Sequence, residues 1–172
     1  MSLELHKHSA PAQLRFAVIT ISDTRDASTD RGGPFLVESV QGVGHVVTLR
    51  EIVKDERDEI AAAVRRAVAQ ADVDLVLCTG GTGIAPRDVT YDTLRGVLDS
   101  EIPGFGELFR WLSYREIGAA TILSRALGGL LGGKVVLALP GSPKALRLAM
   151  DEIVLKEAGH LVAQARGPAP RP

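Results

Sequence analysis

The sequence has little of several features that would otherwise narrow its function. It holds one cysteine, Cys78, so no disulfide can form within the chain, and its four histidines show no spacing typical of a zinc site. No apolar run is long enough to cross a membrane, and residues 1–13 lack the apolar stretch of a signal peptide. The net charge of −1 gives no electrostatic reason to expect nucleic acid or a membrane surface as a partner. We therefore expect a cytoplasmic protein.

The size and composition are those of one globular domain. The chain has 172 residues, of which 45% are hydrophobic and 24% are charged. Residues 1–13 are expected to form a flexible N-terminal arm, residues 14–166 a single domain, and residues 167–172 a disordered tail.

Hydrophobic patterning predicts strands that alternate with amphipathic helices. Apolar runs predict buried strands at Leu14–Ile21, Leu75–Thr79 and Lys134–Leu139, and Val46–Val53 is predicted as the second strand of the chain. Apolar residues at helical spacing predict helices at Pro34–Val43, Glu56–Ala71, Tyr91–Leu98, Gly104–Arg115 and from Pro143 onward. The segment Thr121–Ser124 fits either a short strand or a continued helix. This alternation predicts an α/β fold, namely a three-layer α/β/α sandwich around a mostly parallel central sheet.

The stretch Thr79–Thr90 (TGGTGIAPRDVT) directly follows the predicted strand Leu75–Thr79. Its glycines allow the backbone to approach a ligand closely and to aim N–H groups at an anion. It is not a Walker A motif, since no Gly-Lys-Ser/Thr follows Gly83, and it is not the GxGxxG fingerprint of dinucleotide-binding proteins. Ligands of open α/β sheets bind outside the carboxyl ends of the strands. The stretch therefore predicts a phosphate-binding loop.

Three other polar loops also follow predicted strands and would share that edge. They are Ser22-Asp23-Thr24, Lys54-Asp55-Glu56 and Pro140-Gly141-Ser142-Pro143-Lys144. Each loop alone also fits a simple turn or helix cap, and Asp55 and Ser142 are well placed to be caps. The occurrence of all of them at one sheet edge favours a shared site.

Carboxylates beside a phosphate loop would repel the ligand unless a cation lay between them. Asp55 and Asp88 are therefore expected to bind, directly or through water, a Mg²⁺ that carries nucleotide phosphates. Arg87 and Lys144 would offset phosphate charge, Lys144 from the start of a helix whose dipole helps. The alternative for Arg87 and Asp88 is a surface ion pair at a helix start.

The motifs, taken together, resemble the molybdopterin-binding domain of the MogA/MoaB family of molybdenum cofactor biosynthesis proteins. They are ITISDT, IVKDE, TGGTGIAPRDVT, EIPGFGELFRWLSYREIG, SRALGG and LPGSPKA, in this order, and they cover roughly residues 14–160. The segment FGELFRWLSYREIG is more similar to the MoaB branch than to the MogA branch. The family is related to the gephyrin G domain and to its plant counterpart. The resemblance implies the molybdopterin-binding-like fold.

The resemblance also implies a reaction. The terminal phosphate of molybdopterin would attack the α-phosphorus of ATP in the presence of Mg²⁺, giving adenylylated molybdopterin and pyrophosphate, and a downstream molybdenum insertase would receive the product. Asp55 and Asp88 match the family's catalytic acidic positions. Substrate-binding positions match a larger set: Ser22, Asp23, Thr79, Gly80, Gly81, Thr82, Gly83, Ser124, Gly141 and Ser142.

Two other functions stay open. One is a non-catalytic protein that binds molybdopterin or its precursor and passes it along the same pathway. The other is that of the CinA-type relatives, which share this fold and cleave nucleotide derivatives.

Aromatic residues make up only 4% of the chain, yet several of them fall in one predicted helix. Phe105, Phe109, Trp111 and Tyr114 lie there with Leu108 and Leu112, so the helix is apolar over more than one face. Such a helix is either deeply buried or packed against another subunit, and we favour the subunit contact. The family resemblance implies a homotrimer, or for the MoaB branch two trimers stacked into a homohexamer.

Overall fold

The computed structural model describes residues 11–167, so residues 1–10 of the predicted arm (1–13) and residues 168–172 of the predicted tail (167–172) lie outside the described residues. The strands are β1 (Arg15–Ile21), β2 (Val46–Val53), β3 (Leu75–Thr79), β4 (Ser100–Glu101), β5 (Leu127–Leu131) and β6 (Lys134–Leu139). The α-helices are α1 (Gly32–Gly42), α2 (Arg57–Ala69), α3 (Thr90–Val97), α4 (Pro103–Ile117), α5 (Pro143–Ala149) and α6 (Leu155–Arg166). A 3₁₀ helix spans Gly118–Leu123, and a π turn at Met150–Val154 joins α5 to α6.

These strands form one sheet in the order β2-β1-β3-β6-β5-β4. The pairs β1–β2, β1–β3 and β3–β6 are parallel, whereas β5 and β4 add an antiparallel edge beyond β6. The prediction of a mostly parallel sheet is therefore confirmed. Within residues 11–167 no helix combines the length and the apolar character needed to cross a membrane.

Helices cover both faces of the sheet, which confirms the three-layer architecture. Successive strand residues point to opposite faces, so Phe16 and Val18 pack on one side with α1, α4 and α5, while Ala17 and Ile19 pack on the other with α2 and α3. Cys78 lies in the second of these cores, where burial raises the pKa of its thiol to about 12. It is therefore a small core residue, as the sequence predicts, and not a nucleophile.

The antiparallel edge is the part of the sheet that the sequence patterning does not predict. Strand β5 reads LGGLL and contains no β-branched residue. Its glycines are required by close packing: a Cβ at Gly128 would lie 2.8 Å from the Cβ of Phe105, and one at Gly129 would lie 2.5 Å from Leu98. In the ambiguous segment Thr121–Ser124, the first three residues form the end of the 3₁₀ helix and Ser124 follows it in extended backbone, so the alternative of a continued helix is the nearer one.

Helix α4 contains the aromatic cluster and divides it between two environments. Phe105 and Phe109 are buried in the core, with 5% and 1% of their surface exposed. Trp111 and Tyr114 point outward, 56% and 61% exposed, and the guanidinium of Arg115 lies 4.0 Å above the Trp111 ring. Burial in the monomer thus accounts for half of the cluster and leaves an apolar outer face.

Candidate functional site

The main cleft lies at the carboxyl edge of the sheet, where strand order reverses. Strand β1 pairs with β2 on one side and with β3 on the other. The helices that follow β1 and β3 pack on opposite faces of the sheet, so a crevice opens between the loops that lead to them. A cavity of about 830 Å³ occupies this position. All four loops predicted to share this edge contribute to it. Predicted site residues that line it are Ser22, Asp55, Thr79, Gly80, Gly81, Arg87, Asp88, Gly141 and Lys144.

A second, smaller cavity of about 380 Å³ lies on the other side of the glycine loop. It is bounded by α4, by the 3₁₀ helix and by the start of α5, and it includes the remaining predicted loop residues Thr82, Gly83, Ser124 and Ser142. Gly80, Gly81, Asp88 and Gly141 line both cavities. The Oγ atom of Ser124 is buried and has no hydrogen-bond partner within the described chain. An unpaired buried hydroxyl beside a cavity is a position where a polar ligand group gains a hydrogen bond.

The backbone of the glycine loop adopts conformations that require glycine. Gly80 and Gly81 have φ values of +108° and +62°. A Cβ at Gly80 would lie 2.1 Å from the carbonyl oxygen of Ile21, and one at Gly81 would lie 2.3 Å from Oγ1 of Thr90 and 2.7 Å from Oδ1 of Asp55. Because Gly81 has no side chain, a hollow remains between Asp55 and Thr90, and Thr90 Oγ1 is itself buried without a hydrogen-bond partner.

Asp23 and Asp55 connect the loops after β1 and β2 through reciprocal hydrogen bonds. The Asp23 N–H donates to Oδ2 of Asp55 at 2.9 Å, and the Asp55 N–H donates to Oδ1 of Asp23 at 3.2 Å. Asp23 lines neither cavity, and it contacts the site through its hydrogen bonds with Asp55. Helix α2 has Glu56 at its N-cap with no side-chain cap, so the alternative that Asp55 is merely a helix cap is wrong. Ser142 does act as a cap, because its Oγ accepts the Ala145 N–H at 3.3 Å.

The carboxylates differ in their electrostatic surroundings. Burial, together with the negative charges of Asp23 and Asp88, raises the pKa of Asp55 above its ordinary value, although the Asp23 N–H and Arg87 oppose this. Hydrogen bonds from Arg87 lower the pKa of Asp23. Asp88 folds back on its own loop, where its Oδ2 accepts the Ala85 N–H at 2.9 Å. A neighbouring cation would therefore stabilise the ionised form of Asp55.

Arg87 has partners that the sequence does not predict. Its Nη2 lies 2.7 Å from Asp23 Oδ2 and 2.9 Å from Glu56 Oε1, and its Nε donates to Asp23 Oδ2 at 2.9 Å. The alternative, an ion pair between Arg87 and Asp88, is not the arrangement found. Arg87 lines the main cleft while it joins the loops that follow β1, β2 and β3.

Several cleft residues were missed by the sequence reasoning. Arg25 and Arg31 lie in the loop after β1, and Arg147 lies one helical turn beyond Lys144, so all three add positive charge to the cleft. The guanidinium of Arg147 lies 5.4 Å from the ring of Phe35, which also lines the cleft. The i, i+3 spacing of Lys144 and Arg147 at a helix start is a signal that could have revealed one of them.

The donor set fits a Mg²⁺ that arrives with a phosphorylated ligand. Among residues 11–167 there is no group of three or more His, Cys, Asp or Glu side chains that could hold a metal ion by itself. Mg²⁺ is commonly bound by one or two carboxylates, with phosphate oxygens and water completing its octahedron. Asp55 and Asp88 supply two carboxylates, and the unpartnered Thr90 hydroxyl adds an oxygen beside Asp55.

A doubly wound α/β domain with a glycine loop, paired carboxylates and basic side chains at its switch point belongs to the class of domains that bind phosphorylated ligands. Residues 17–160 match the family described as "Probable molybdopterin binding domain". The chain belongs to this family, and within it to the MoaB branch of the MogA/MoaB proteins of molybdenum cofactor biosynthesis.

Similar proteins support this assignment along most of the chain. The molybdenum cofactor biosynthesis protein B of Bacillus cereus is 51% identical over 162 residues, which are 94% of this chain and 96% of that protein. A crystal structure of a molybdenum cofactor biosynthesis protein B has a TM-score of 0.89 at 49% identity and covers 92% of this chain and 99% of that one. The tungsten cofactor synthesizing protein MoaB from Pyrococcus furiosus has a TM-score of 0.82 at 37% identity, covering 91% of this chain and 99% of that one.

A CinA protein from Thermoplasma acidophilum is also similar, with a TM-score of 0.58 at 21% identity, 88% of this chain and 99% of that one being covered. This likeness shows a shared fold and nothing about activity.

Proposed function

We propose that the chain binds molybdopterin and adenylylates it with Mg-ATP, which makes it a nucleotidyltransferase of molybdenum cofactor biosynthesis. The observation that carries the proposal is the pair of cavities that share the glycine loop. Asp88, Gly80, Gly81 and Gly141 line both, so ligands in the two cavities would meet beside the same carboxylate. A transfer reaction between two bound phosphorylated molecules requires this kind of shared wall.

The proposed reaction requires that the two phosphate groups be aligned and their charge neutralised, and it does not require a strong base. A phosphate oxygen of molybdopterin forms a bond to the α-phosphorus of ATP while the bond from that phosphorus to the β-phosphate bridging oxygen breaks, and pyrophosphate leaves with the electron pair. The attacking oxygen is already anionic near neutral pH, so no nucleophilic Ser, His or Cys is needed. Backbone N–H groups of the glycine loop would orient the phosphates.

Charged side chains of the cleft divide into complementary roles. Asp55 and Asp88 would hold Mg²⁺, which supplies charge neutralisation at the transferring phosphate. Lys144, Arg25 and Arg31 line the same cleft and would contact the phosphates directly.

The test is incubation of the purified chain with Mg-ATP and molybdopterin, followed by detection of adenylylated molybdopterin. Asp88→Asn should abolish ATP-dependent turnover and largely keep pterin binding, since it changes the charge beside the shared wall but not its shape. Asp151→Asn removes an exposed carboxylate that lines neither cavity and should leave turnover unchanged. If the wild-type chain forms no product while it still binds molybdopterin, the non-catalytic binding role is the correct one.

The outer face of α4 supports a further proposal on assembly. Leu108, Trp111, Tyr114 and Ile117 are 41%, 56%, 61% and 52% exposed and repeat every third residue, which leaves one apolar strip uncovered. We propose that other copies of the chain cover it in a homotrimer or homohexamer, and that the product then passes to a downstream molybdenum insertase. Sedimentation of the wild type and of Trp111→Glu tests the assembly: the wild type should exceed monomer mass, and the variant should dissociate.

A further inference from the structure

Arg125 lies between the 3₁₀ helix and β5, within the motif SRALGG, and no role has been assigned to it above. Its guanidinium binds the loop that carries Asp88. Its Nε donates to the carbonyl oxygen of Gly83 at 2.8 Å, and its Nη2 donates to the carbonyl oxygen of Asp88 at 2.7 Å. Its Nη1 pairs with Oδ2 of Asp92 at 2.9 Å. One side chain therefore binds both ends of the segment between the last glycine of the loop and the proposed catalytic carboxylate.

Other contacts hold Arg125 itself in place. Its own N–H donates to the carbonyl oxygen of Thr82 at 3.0 Å, and its guanidinium lies 5.0 Å from the ring of Tyr91. The side chain is only 26% exposed. A guanidinium has a rigid, planar set of donors, so three acceptors in three directions can be satisfied together only in one arrangement of the loop.

Apart from the ion pairs of Arg87 with Asp23 and Glu56, the segment from Gly83 to Asp88 is otherwise held largely by short-range contacts. The Asp88 N–H donates to the carbonyl oxygen of Ala85, and the Ala85 N–H returns a bond to the Asp88 carboxylate. Such local bonds fix the shape of a turn but not its position over the cleft. The bonds from Arg125 tie this turn to the element that begins β5.

We propose that Arg125 is a positioning residue, which acts through the loop to set where the Asp88 carboxylate stands between the two cavities. Its consequence for catalysis rests on the proposed function, whereas its consequence for the loop does not. Ser124, whose unpartnered Oγ lies at the second cavity, directly precedes Arg125. A ligand that shifts Ser124 would therefore also move the guanidinium that holds Asp88.

The first experiment is amide hydrogen exchange on the full chain without any ligand. Arg125→Ala and Arg125→Lys should speed exchange of amides in residues 83–88 by about tenfold and leave the amides of β1 and β3 unchanged, because only local openings become easier. Arg95→Ala is the control, since Arg95 forms an exposed ion pair with Glu101 from helix α3, the helix that also carries Asp92, the ion-pair partner of Arg125. Unchanged exchange in residues 83–88, or faster exchange throughout the chain, would overturn the proposal.

The second experiment measures steady-state turnover. Arg125→Lys keeps the positive charge but loses the fork, so kcat should fall about 10- to 100-fold while KM stays within about threefold. Added guanidinium should restore part of the activity of Arg125→Ala and none of any loss seen in Arg125→Lys. A kcat for Arg125→Lys equal to that of the wild type contradicts the positioning role. If the wild type shows no turnover, the proposed function fails, and the exchange experiment still decides the role of Arg125.

Discussion

Replacing Gly81 with alanine should separate the part that the glycine loop plays in binding from its part in folding. Gly81 has a φ of +62°, and an added Cβ would lie 2.3 Å from Thr90 Oγ1 and 2.7 Å from Asp55 Oδ1. Gly133 is a matched control in the turn between β5 and β6, because its φ is +73° and nothing lies within 4 Å of its added Cβ. Both substitutions impose the same backbone strain, but only one places a methyl group in the site.

The magnitudes follow from this comparison. Alanine in the left-handed region costs about 1–2 kcal/mol, which for a domain of this size lowers Tm by about 2–8 °C. Gly133→Ala should show that loss alone. Gly81→Ala must also displace Thr90 and Asp55, so its Tm should fall further, and its affinity for Mg-ATP should drop at least about tenfold because the hollow beside Asp55 is filled.

Thermal denaturation followed by circular dichroism measures the first quantity, and calorimetric titration with Mg-ATP at a temperature where both variants stay folded measures the second. Wild-type nucleotide affinity in Gly81→Ala would refute the assignment of the loop as a phosphate cradle. An equal loss of affinity in Gly133→Ala would show that backbone strain, and not occupation of the site, is responsible.

Three further predictions concern residues away from the cleft. Asp74→Asn should cost about 1–3 kcal/mol at pH 7, since Asp74 is 6% exposed and accepts hydrogen bonds from the half-exposed Arg15 and Arg166. Burial acts to raise the pKa of Asp74, but the hydrogen bonds of Arg15 and the charges of Arg15 and Arg166 outweigh it, so the pKa of Asp74 is lowered in the folded state. The stabilisation is therefore present above the unfolded-state pKa and is lost as the pH falls through the folded pKa, so urea denaturation at decreasing pH should show wild type and variant converging. Cys78 should not react with Ellman's reagent at pH 8 until the chain is denatured, and reaction of the native chain would contradict its burial. Phe109→Ala should lower the free energy of unfolding by about 3–5 kcal/mol in urea titrations, because a fully packed ring leaves a cavity, and a loss below 1 kcal/mol would mean that the core collapses around it.

The parallel part of the fold could be predicted because the local sequence of its strands is enough to indicate a strand. β1, β3 and β6 are largely apolar runs covered on both faces, and this pattern can be recognised in the sequence without knowing which strand pairs with which. β5 is different, since its glycines are selected by the rings and side chains of Phe105 and Leu98, which approach from other elements. A strand whose composition is decided by distant neighbours carries no local signal.

The same distinction applies to the site. Strand-end loops could be placed together because parallel strands bring their carboxyl ends to one edge, and the predicted site residues other than Asp23 do line the two cavities. The partners of Arg87 could not be predicted, because Asp23 is 64 positions away along the chain and their pairing depends on loop geometry. Arg125 gave no signal for the same reason, as each group that it binds through its side chain is more than 30 positions away.

The distribution of charge in the cleft favours a metal–phosphate complex over either ion alone. Carboxylates of Asp23, Asp55, Glu56 and Asp88 gather at the rim with Arg87 as their close cationic partner, so a free phosphate placed there would be repelled. The same cleft is also lined by Arg25, Arg31, Lys144 and Arg147, whose charges would repel a free divalent cation placed beside them. A polyphosphate that carries Mg²⁺ would complement both sets of charges at once. The cation would lie beside the Asp55 carboxylate, whose pKa is raised, and the phosphates beside the basic side chains. Each ion should therefore bind weakly without the other, which is the thermodynamic coupling expected of a site that takes its metal together with its nucleotide.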